Sequence, residues 1–198
     1  QTDLLLFQSQ RQSNGKFKLN PTALQKLYHG IHQADPDLKV LHLDNINPAN
    51  ITNHLEESQK MLKTIVKYNT PGDIAAFGLE SADPVILEKN NIETTPKKTL
   101  EAISQDNLPA LLPGINFLHG LIGERPRTME LNYRYLKKIY DEGLMLRRIN
   151  IRQVVRLNNY PLIKINKNKY EEYKTKINEN INKPMLKRVF PSGTVIKN

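Results

Sequence analysis

A carboxylate and a hydroxyl stand side by side at Glu80 and Ser81, directly after an apolar stretch that ends in Gly78. A glycine lets a ligand approach the backbone closely, and a carboxylate beside a hydroxyl can hold an ammonium group together with a ribose or carboxylate group. Asp83 precedes Pro84, which is the arrangement of a helix N-cap, so we assign Asp83 to capping. Glu80 has no such structural duty, and we predict that it faces a ligand.

A second candidate lies in GINFLHGLIGER, from Gly114 to Arg125. Its first half is apolar apart from Asn116, and its second half contains Gly120 and Gly123. The glycine spacing is not that of a dinucleotide fingerprint, and no Lys-Ser or Lys-Thr follows as in a P-loop. We predict a strand that delivers Asn116 to a site, with glycines that let a flat group lie against the backbone. Glu124 is assigned to the next connection.

Several other chemistries find no support in the sequence. The five histidines show no HExxH or other metal-ligand spacing, and there is no GxSxG nucleophile elbow. The chain contains no cysteine, which excludes disulfides, thiolate zinc sites, cysteine nucleophiles and cysteine-ligated iron–sulfur clusters within these 198 residues.

The elements that must position the candidates alternate along the chain. Apolar runs of strand length are separated by segments with helical spacing, and helix starts such as Asn20-Pro21 and Thr95-Pro96 support this reading. The predicted strands cover residues 3–8, 38–43, 74–78, 110–118 and 146–154, with a polar turn over 44–48. Helices are predicted after 20, 54, 83, 95 and 127, and a basic helix over 167–181 is expected to end at Pro184. Residues 188–196 read as a strand, a turn and a second strand.

This alternation predicts an α/β fold with a parallel sheet, either doubly wound or a barrel or part-barrel. The polar residues within otherwise apolar strands cluster at the carboxyl ends of the predicted strands, which is the ligand-binding end of parallel α/β folds. We expect a main domain over residues 1–160 and a basic extension over 161–198.

The positive charge is concentrated at one end of the chain. Residues 134–198 hold 16 Lys and Arg against 5 Asp and Glu, whereas the whole chain has a formal net charge of +9. This density is a footprint for phosphates and predicts RNA as a partner, although lysine is also a generic solvating residue. No apolar run has the length of a membrane span and no signal peptide is visible, so we expect a cytoplasmic location. Because the first residue is Gln1, we expect the chain to begin part-way into a longer protein.

Three segments together resemble one family. FGLESADPVILEKNN, GINFLHGLIGE and LRRINIRQV resemble the fourth, fifth and sixth strand segments of radical S-adenosylmethionine enzymes, in the methylthiotransferase-like branch. The resemblance covers residues 3–156 and implies a (βα)6 part-barrel, of which this chain holds strands two to six. It also implies that the CxxxCxxC loop for a [4Fe–4S] cluster belongs to the full-length parent, before Gln1.

The resemblance also implies roles for individual residues. Glu80 and Ser81 would contact the methionine part or the ribose of S-adenosylmethionine, and Asn116 would lie near the ribose. The remaining predicted contacts are Gly78, the stretch from Gly120 to Gly123 beneath the adenine, Ile151, Arg152 and Gln153 beside it, and Asp44 and Asn45 facing the cofactor or substrate. The sequence departs from the family where Asn91 is followed by Ile92 instead of Arg. The segment PMLKRVFPSGTVIKN resembles the beginning of a small RNA-binding β-barrel.

Three functions stay open from the sequence. The first is part of a radical S-adenosylmethionine enzyme acting on RNA, a small molecule or a protein. The second is a non-catalytic α/β protein that binds nucleic acid through its basic end. The third is a stable part of a barrel without a function of its own. The substrate, the reaction and the oligomeric state are not predicted.

Overall fold

The structure is a computed structural model that describes residues 3–43, 45–104, 111–155 and 166–192. Its centre is a sheet of four parallel strands in the order β3-β4-β5-β6. A separate antiparallel hairpin, β1 (Gln10–Arg11) with β2 (Phe17–Lys18), lies near the N-terminus. The strands of the sheet are β3 (Asn45–Ile46), β4 (Asp73–Glu80), β5 (Leu111–His119) and β6 (Arg148–Gln153).

The strand order decides between the two predicted architectures. Each strand of the sheet pairs in parallel with the next one along the chain. A doubly wound sheet reverses its order at a switch point, whereas a barrel adds its strands in one direction. The fold is therefore α/β with a parallel, partial-barrel arrangement, and its parallel sheet has four strands where the sequence predicted about five.

Helices connect the strands, and prolines mark most of their starts. Asn20, Asn47 and Asp83 cap helices that have Pro in the first turn, where its missing N–H and fixed φ cost nothing. The described helices are α1 (Pro21–Ala34), α2 (Pro48–Asn53), α3 (Leu55–Tyr68), α4 (Pro84–Lys89), α5 (Pro96–Ser104), α6 (Pro126–Asp141), α7 (Lys167–Ile177) and α8 (Lys183–Val189).

The two faces of the sheet differ in burial. Side chains alternate between faces along a strand. Phe77, Leu79, Ile115 and Phe117 belong to the buried core, to which the helices contribute residues such as Ile139. The opposite face at the carboxyl ends of the strands is half-buried and holds Asn45, Gly78, Asn116 and Asn150, and we call these four residues the open face. The sheet therefore has one side covered by apolar packing and one polar side that a ligand can reach.

Two predicted strands near the N-terminus are wrong. Leu4–Leu6 form a 3-10 turn, because the Asp3 carboxylate accepts a hydrogen bond from the Leu5 N–H at 3.0 Å and closes the turn. The same carboxylate accepts from the Asn47 N–H and the Asn50 side chain. Asp3 thereby ties this turn to the start of α2 instead of leaving it free to extend a sheet.

The predicted strand over 38–43 is also unpaired with the sheet. Leu41 donates its N–H to the Thr70 hydroxyl and Leu43 donates its N–H to the Asp73 carboxylate, each at 2.9 Å. Side chains therefore take the backbone donors that a neighbouring strand would use. Pairing begins instead at Asn45 and Ile46, within the predicted polar turn.

The C-terminal prediction needs a similar correction. Pro184 does not end the helix: a π-helical turn over Asn178–Asn182 leads into α8, whose first turn contains Pro184. Arg188 and Val189 are helical where a strand was predicted, and residues from 193 onward lie outside the described residues. By contrast, the strands predicted at 74–78, 110–118 and 146–154 are confirmed as β4, β5 and β6, apart from Ala110, which is not described.

The basic helices pack on the sheet's core instead of standing apart from it. Tyr173, Ile177, Ile181 and Met185 are buried in the same hydrophobic cluster as the sheet. Arg188 donates to the carbonyl of Tyr140 at 2.8 Å, at the end of α6. None of the helices in the described ranges is long and apolar enough to cross a membrane.

Candidate functional site

Three asparagines from three strands form a hydrogen-bonded row on the open face. Asn150 Nδ2 donates to Asn116 Oδ1 at 2.8 Å, and Asn116 Nδ2 lies 3.5 Å from Asn45 Oδ1. Asn150 and Asn116 face each other in register on β6 and β5. The row joins positions 71 and 34 residues apart in the chain, so it exists only in the folded sheet.

Small residues on β4 leave room for this row. Asn116 is in register with Gly78, and Asn45 on the far side of β4 is in register with Ala76. Neighbouring strands lie about 4.8 Å apart, so a contact from β5 to β3 must pass over β4. Gly78 and Ala76 are the residues beneath it, and their small size leaves room for two carboxamides. Gly78 therefore has a structural role, in addition to its predicted role of letting a ligand approach the backbone.

Glu80 follows at the end of β4 in an unusual conformation. The register between β4 and β5 shifts between Gly78 and Glu80, which is a β-bulge, and Glu80 has a φ of 65°. Bulges and left-handed non-glycine residues concentrate at functional sites. Burial raises the pKa of the Glu80 carboxyl to about 7, and the nearby Arg152 partly opposes that rise. At neutral pH this carboxyl can therefore both take up and release a proton.

Ser81 has internal partners. Its side chain is fully buried, its hydroxyl lies 3.4 Å from Asn132 Oδ1, and it accepts the Asp83 N–H at 3.1 Å. Asn132 Oδ1 also accepts from the Ala82 N–H at 2.6 Å. Ser81 thus fixes the loop after β4, and its predicted contact with a cofactor stays a prediction.

Asp83 is the helix cap that the sequence predicted. Its carboxylate accepts from the Val85 N–H, from the Thr128 hydroxyl at 2.9 Å and from the Arg125 guanidinium at 3.2 Å. Burial favours the neutral form, but these hydrogen bonds outweigh it and the pKa of Asp83 is lowered. Asp83 therefore joins the starts of α4 and α6 and belongs to the scaffold of the site.

Gly120 and Gly123 lie in the turn after β5, and the turn requires glycine at both positions. They have φ values of 94° and 84°, a region that favours glycine. A Cβ on Gly123 would lie 2.6 Å from the Lys89 side chain. The turn is closed by Glu124, which was assigned to the next connection: its carboxylate accepts from the Gly120 N–H and bonds His119 Nδ1. Whether the glycines also pass beneath an adenine stays a prediction.

The three site residues predicted on β6 differ in their exposure to solvent. Ile151 is half-buried and its carbonyl accepts a hydrogen bond from the Tyr170 hydroxyl at 3.2 Å, whereas Arg152 and Gln153 are exposed. Asp44, predicted to face the cofactor or substrate, lies outside the described residues. The structure therefore brings Asn45, Gly78, Asn116, Glu80 and Arg152 toward one edge of the sheet, and it directs Ser81 into the interior.

A small cleft adjoins the open face at β3. It has a volume of about 140 Å³ and is lined by Asn45, Gly78, Asn47, Thr94, Asp3 and two apolar side chains. The Thr94 hydroxyl donates to Asn47 Oδ1 at 3.1 Å. Among the described ranges, no group of three His, Asp or Glu residues is arranged to hold a metal ion.

Asn150 is the site residue that sequence reasoning missed. It lies within the predicted fifth strand, where the alternation Ile149, Asn150, Ile151 reads as one apolar and one solvent-facing side. The available signal was that Asn150 has the same alternation phase as Arg148 and Arg152. That phase shows that the three residues share one face of the sheet, but it does not show which residue of β5 lies opposite Asn150.

Comparisons with known proteins identify relatives without giving a family. No family model matches the chain. An uncharacterized protein of Archaeoglobus fulgidus is 42% identical over 191 residues, covering 88% of this chain and 36% of that protein. An uncharacterized protein of Methanocaldococcus jannaschii is 44% identical over 197 residues, covering 91% and 36%. The chain thus spans about a third of the length of the curated relatives that it matches.

One solved structure is similar at low identity. It is the radical S-adenosylmethionine methyltransferase TsrM from Kitasatospora setae with cobalamin and a [4Fe–4S] cluster bound. The match covers 69% of this chain and 25% of that one, with 16% identity and a TM-score of 0.47.

Proposed function

We propose that this chain is the S-adenosylmethionine-binding part of a radical S-adenosylmethionine enzyme, and that the adenosyl group lies across the open face. The observation that carries the proposal is the convergence of three motif segments. Glu80 from β4, Asn116 from β5 and Arg152 from β6 come from the three stretches that resemble the family. They meet at the carboxyl end of one parallel sheet, where ligands of such folds bind.

The residues of the open face suit this cofactor. Carboxamides of Asn45 and Asn116 can exchange hydrogen bonds with ribose hydroxyls. Glu80 in its ionised form can hold the cationic sulfonium and ammonium groups of S-adenosylmethionine, and binding of these charges would lower its pKa. Gly78 leaves the centre of the face low enough for a ligand to lie over β4.

The iron–sulfur cluster does not fit the residues of this chain, since no cysteine is present to ligate it. Our proposal places the cluster ligands outside these 198 residues, in the longer protein of which this segment would be a part. S-adenosylmethionine supplies radical chemistry when it is bound beside such a cluster. The residues described above would bind and orient its adenosyl and cationic groups.

A calorimetric titration with S-adenosylmethionine tests the proposal. We expect weak but measurable binding by the wild-type chain, because the cluster that anchors the methionine end is missing. Glu80→Ala and Asn116→Ala should each weaken it about fivefold or more. Glu130→Ala, an exposed change on α6, serves as the control. Tight binding that neither substitution affects would place the ligand elsewhere.

RNA binding by the basic end is a second candidate, favoured by one observation. A groove of about 430 Å³ runs between β6 and α7, and its lining includes Asn150, Lys174, Thr175 and Asn178 together with the acidic Glu171 and Glu179. Asn150 belongs both to this groove and to the open face, so RNA bound in the groove would lie against the edge strand of the sheet that holds the candidate site. The basic charge is only partly available, because Arg147 packs over the Phe190 ring and Arg188 binds carbonyls of the α6–β6 connection.

Filter binding of single-stranded RNA across a salt series tests this candidate. RNA contacts by lysines predict an affinity that falls steeply with salt, and Lys167→Ala with Lys169→Ala should reduce the slope by about one unit or more. Affinity that does not depend on salt would reject an electrostatic RNA surface.

A further inference from the structure

We propose that Asn150 is a positioning residue that fixes the carboxamide of Asn116 in one orientation. In that orientation Asn116 offers an N–H group, and not a carbonyl, to the ligand on the open face. The ligand class that we assign to this donor is a nucleoside, whose ribose oxygens can accept the hydrogen bond. The ligand half of this inference rests on the proposed function, whereas the orientation of Asn116 does not.

A carboxamide has two orientations of nearly equal shape, and its hydrogen bonds decide between them. Asn150 Nδ2 donates to Asn116 at 2.8 Å, so the group of Asn116 that faces β6 is its oxygen. If the carboxamide of Asn116 turned over, two NH2 groups would face each other. While Asn150 keeps its NH2 group toward β5, its bond therefore excludes the second orientation of Asn116.

The contact between Asn116 and Asn45 agrees with this orientation of the Asn116 carboxamide. With its oxygen toward β6, Asn116 has its nitrogen toward β3, where the Asn45 oxygen lies at 3.5 Å. This second contact is long, so it leaves the Asn116 nitrogen able to donate elsewhere. The short bond from Asn150 fixes the Asn116 carboxamide on the β6 side. The long contact with Asn45 leaves the Asn116 NH2 group available as a donor on the β3 side, over Gly78 and near the small cleft.

The strand geometry holds Asn150 in place for this role. Asn150 is in register with Asn116, and it is half-buried between the exposed residues Arg148 and Arg152 of the same strand face. The two neighbours of Asn150 on this strand face, Arg148 and Arg152, are both cationic, which disfavours a third cation between them but allows a carboxamide. Because β6 pairs with β5 over six consecutive positions, the separation of the two carboxamides is set by the sheet and not by a loop.

Substitutions at Asn150 separate a hydrogen-bond role from a packing role. Asn150→Asp keeps the size of the side chain but removes the donor, and Asn150→Ala removes both. A positioning role predicts that Asn150→Ala frees the carboxamide of Asn116 and that Asn150→Asp reverses it, because an aspartate carboxylate can only accept from the Asn116 NH2 group. A space-filling role predicts that Asp is tolerated without a change at Asn116. Asn53→Ala, at an exposed position at the end of α2, is the control.

The first readout needs no ligand. In the wild-type chain the two side-chain amide protons of Asn116 should give dispersed NMR signals and exchange slowly with solvent. In Asn150→Ala these signals should move toward the values of a free asparagine, in Asn150→Asp they should shift to the values of an NH2 group that donates to a carboxylate, and in Asn53→Ala they should stay. Unchanged Asn116 signals in both Asn150 variants would overturn the proposed orientation.

The second readout is a double-mutant cycle with S-adenosylmethionine as the probe. Asn150→Ala should weaken binding about fivefold in the wild-type background and have no effect when Asn116 is already Ala. Additive effects would mean that Asn150 contacts the ligand by itself, and would overturn the positioning role. If the wild-type chain does not bind the probe, the proposed function and the ligand half of this inference are both rejected, and the amide signals still decide the orientation of Asn116.

Discussion

Glu124 and His119 form a buried pair at the carboxyl end of β5, with Glu124 Oε1 and His119 Nδ1 2.5 Å apart. His119 is fully buried and its ring packs edge-on against Tyr170 and Tyr173 of α7, at centroid distances of 5.5 and 4.9 Å. The same carboxylate accepts from the Gly120 N–H. One side chain therefore fastens the turn after β5, and His119 connects that turn to the basic helix.

Removal of this carboxylate should destabilise the fold strongly. Glu124→Ala leaves the His119 ring nitrogen and the Gly120 N–H without their acceptor, and we expect a loss of about 3 kcal/mol in the free energy of unfolding. Glu130→Ala, which breaks only exposed pairs with Arg134 and Lys176, should cost about 0.5 kcal/mol or less. Urea unfolding measures both. Equal, small losses would mean that the buried pair does not hold the turn.

Two glycine substitutions should have opposite effects. Gly30 lies within α1, and a Cβ there meets no atom within 4 Å, so Gly30→Ala should stabilise the chain by about 0.5–1 kcal/mol through its helix propensity. Gly114 lies within β5, where a Cβ would sit 2.9 Å from Ile74 Cγ2 and 3.3 Å from the Arg148 carbonyl. Gly114→Ala should therefore destabilise it by about 1–3 kcal/mol. Thermal unfolding checks the signs, and a stabilising Gly114→Ala would contradict the close packing of β5 between its neighbours.

Glu80 should make the stability depend on pH. Its carboxyl has a pKa of about 7 in the fold against an ordinary value of 4.5, so the folded chain binds more protons than the unfolded chain between these values. Stability should fall as the pH rises through that window and level off above it. After allowance for its partial exposure, we expect a fall of about 1–3 kcal/mol.

Glu80→Gln provides the control for this pH effect, because it keeps the shape of the side chain and removes the titration. Urea midpoints measured across the same pH window should fall less for Glu80→Gln than for the wild-type chain. Parallel curves for the two proteins would show that Glu80 titrates near its ordinary pKa.

The affinity for S-adenosylmethionine should rise with pH for the same reason. A cationic ligand favours ionised Glu80, so below a pKa of about 7 binding must first displace a proton. The dissociation constant should fall about tenfold from one pH unit below that pKa to one unit above it. Glu80→Gln should bind more weakly and lack most of this dependence. S-adenosylhomocysteine has no sulfonium charge and should show a smaller change. A pH dependence shared by the wild-type chain and Glu80→Gln would mean that another group titrates.

The sequence predicted the elements whose signals are local. β4 and β5 are long apolar runs, β6 alternates apolar and polar residues, and α1, α4 and α5 start at prolines, so their own residues specify them. The N-terminal strands were predicted wrongly because their backbone donors are taken by distant side chains. Asp73 binds Leu43 across 30 positions and Asp3 binds Asn47 across 44. A periodicity of apolar residues carries no information about such partners.

The candidate site was likewise predictable only in part. Asn116 and Glu80 lie on neighbouring strands toward one edge of the sheet because parallel strands bring their carboxyl ends together, which the alternation of elements already implied. The partner of Asn116 was not predictable, because the register of β6 on β5 decides that Asn150 stands opposite. The positive φ values of Gly120 and Gly123 serve a turn closed by Glu124, and only the folded chain reveals this acceptor.

The central claim is that an adenosyl ligand lies across the open face, and its most direct test is an NMR titration of the isotope-labelled chain with S-adenosylmethionine to millimolar concentration. We predict that the backbone signal of Gly78 and the side-chain amide signals of Asn45, Asn116 and Asn150 move together and saturate. The same titration of Asn116→Ala should require a higher concentration. Signals that do not move on the open face, or that move only along α7 and α8, would contradict the account.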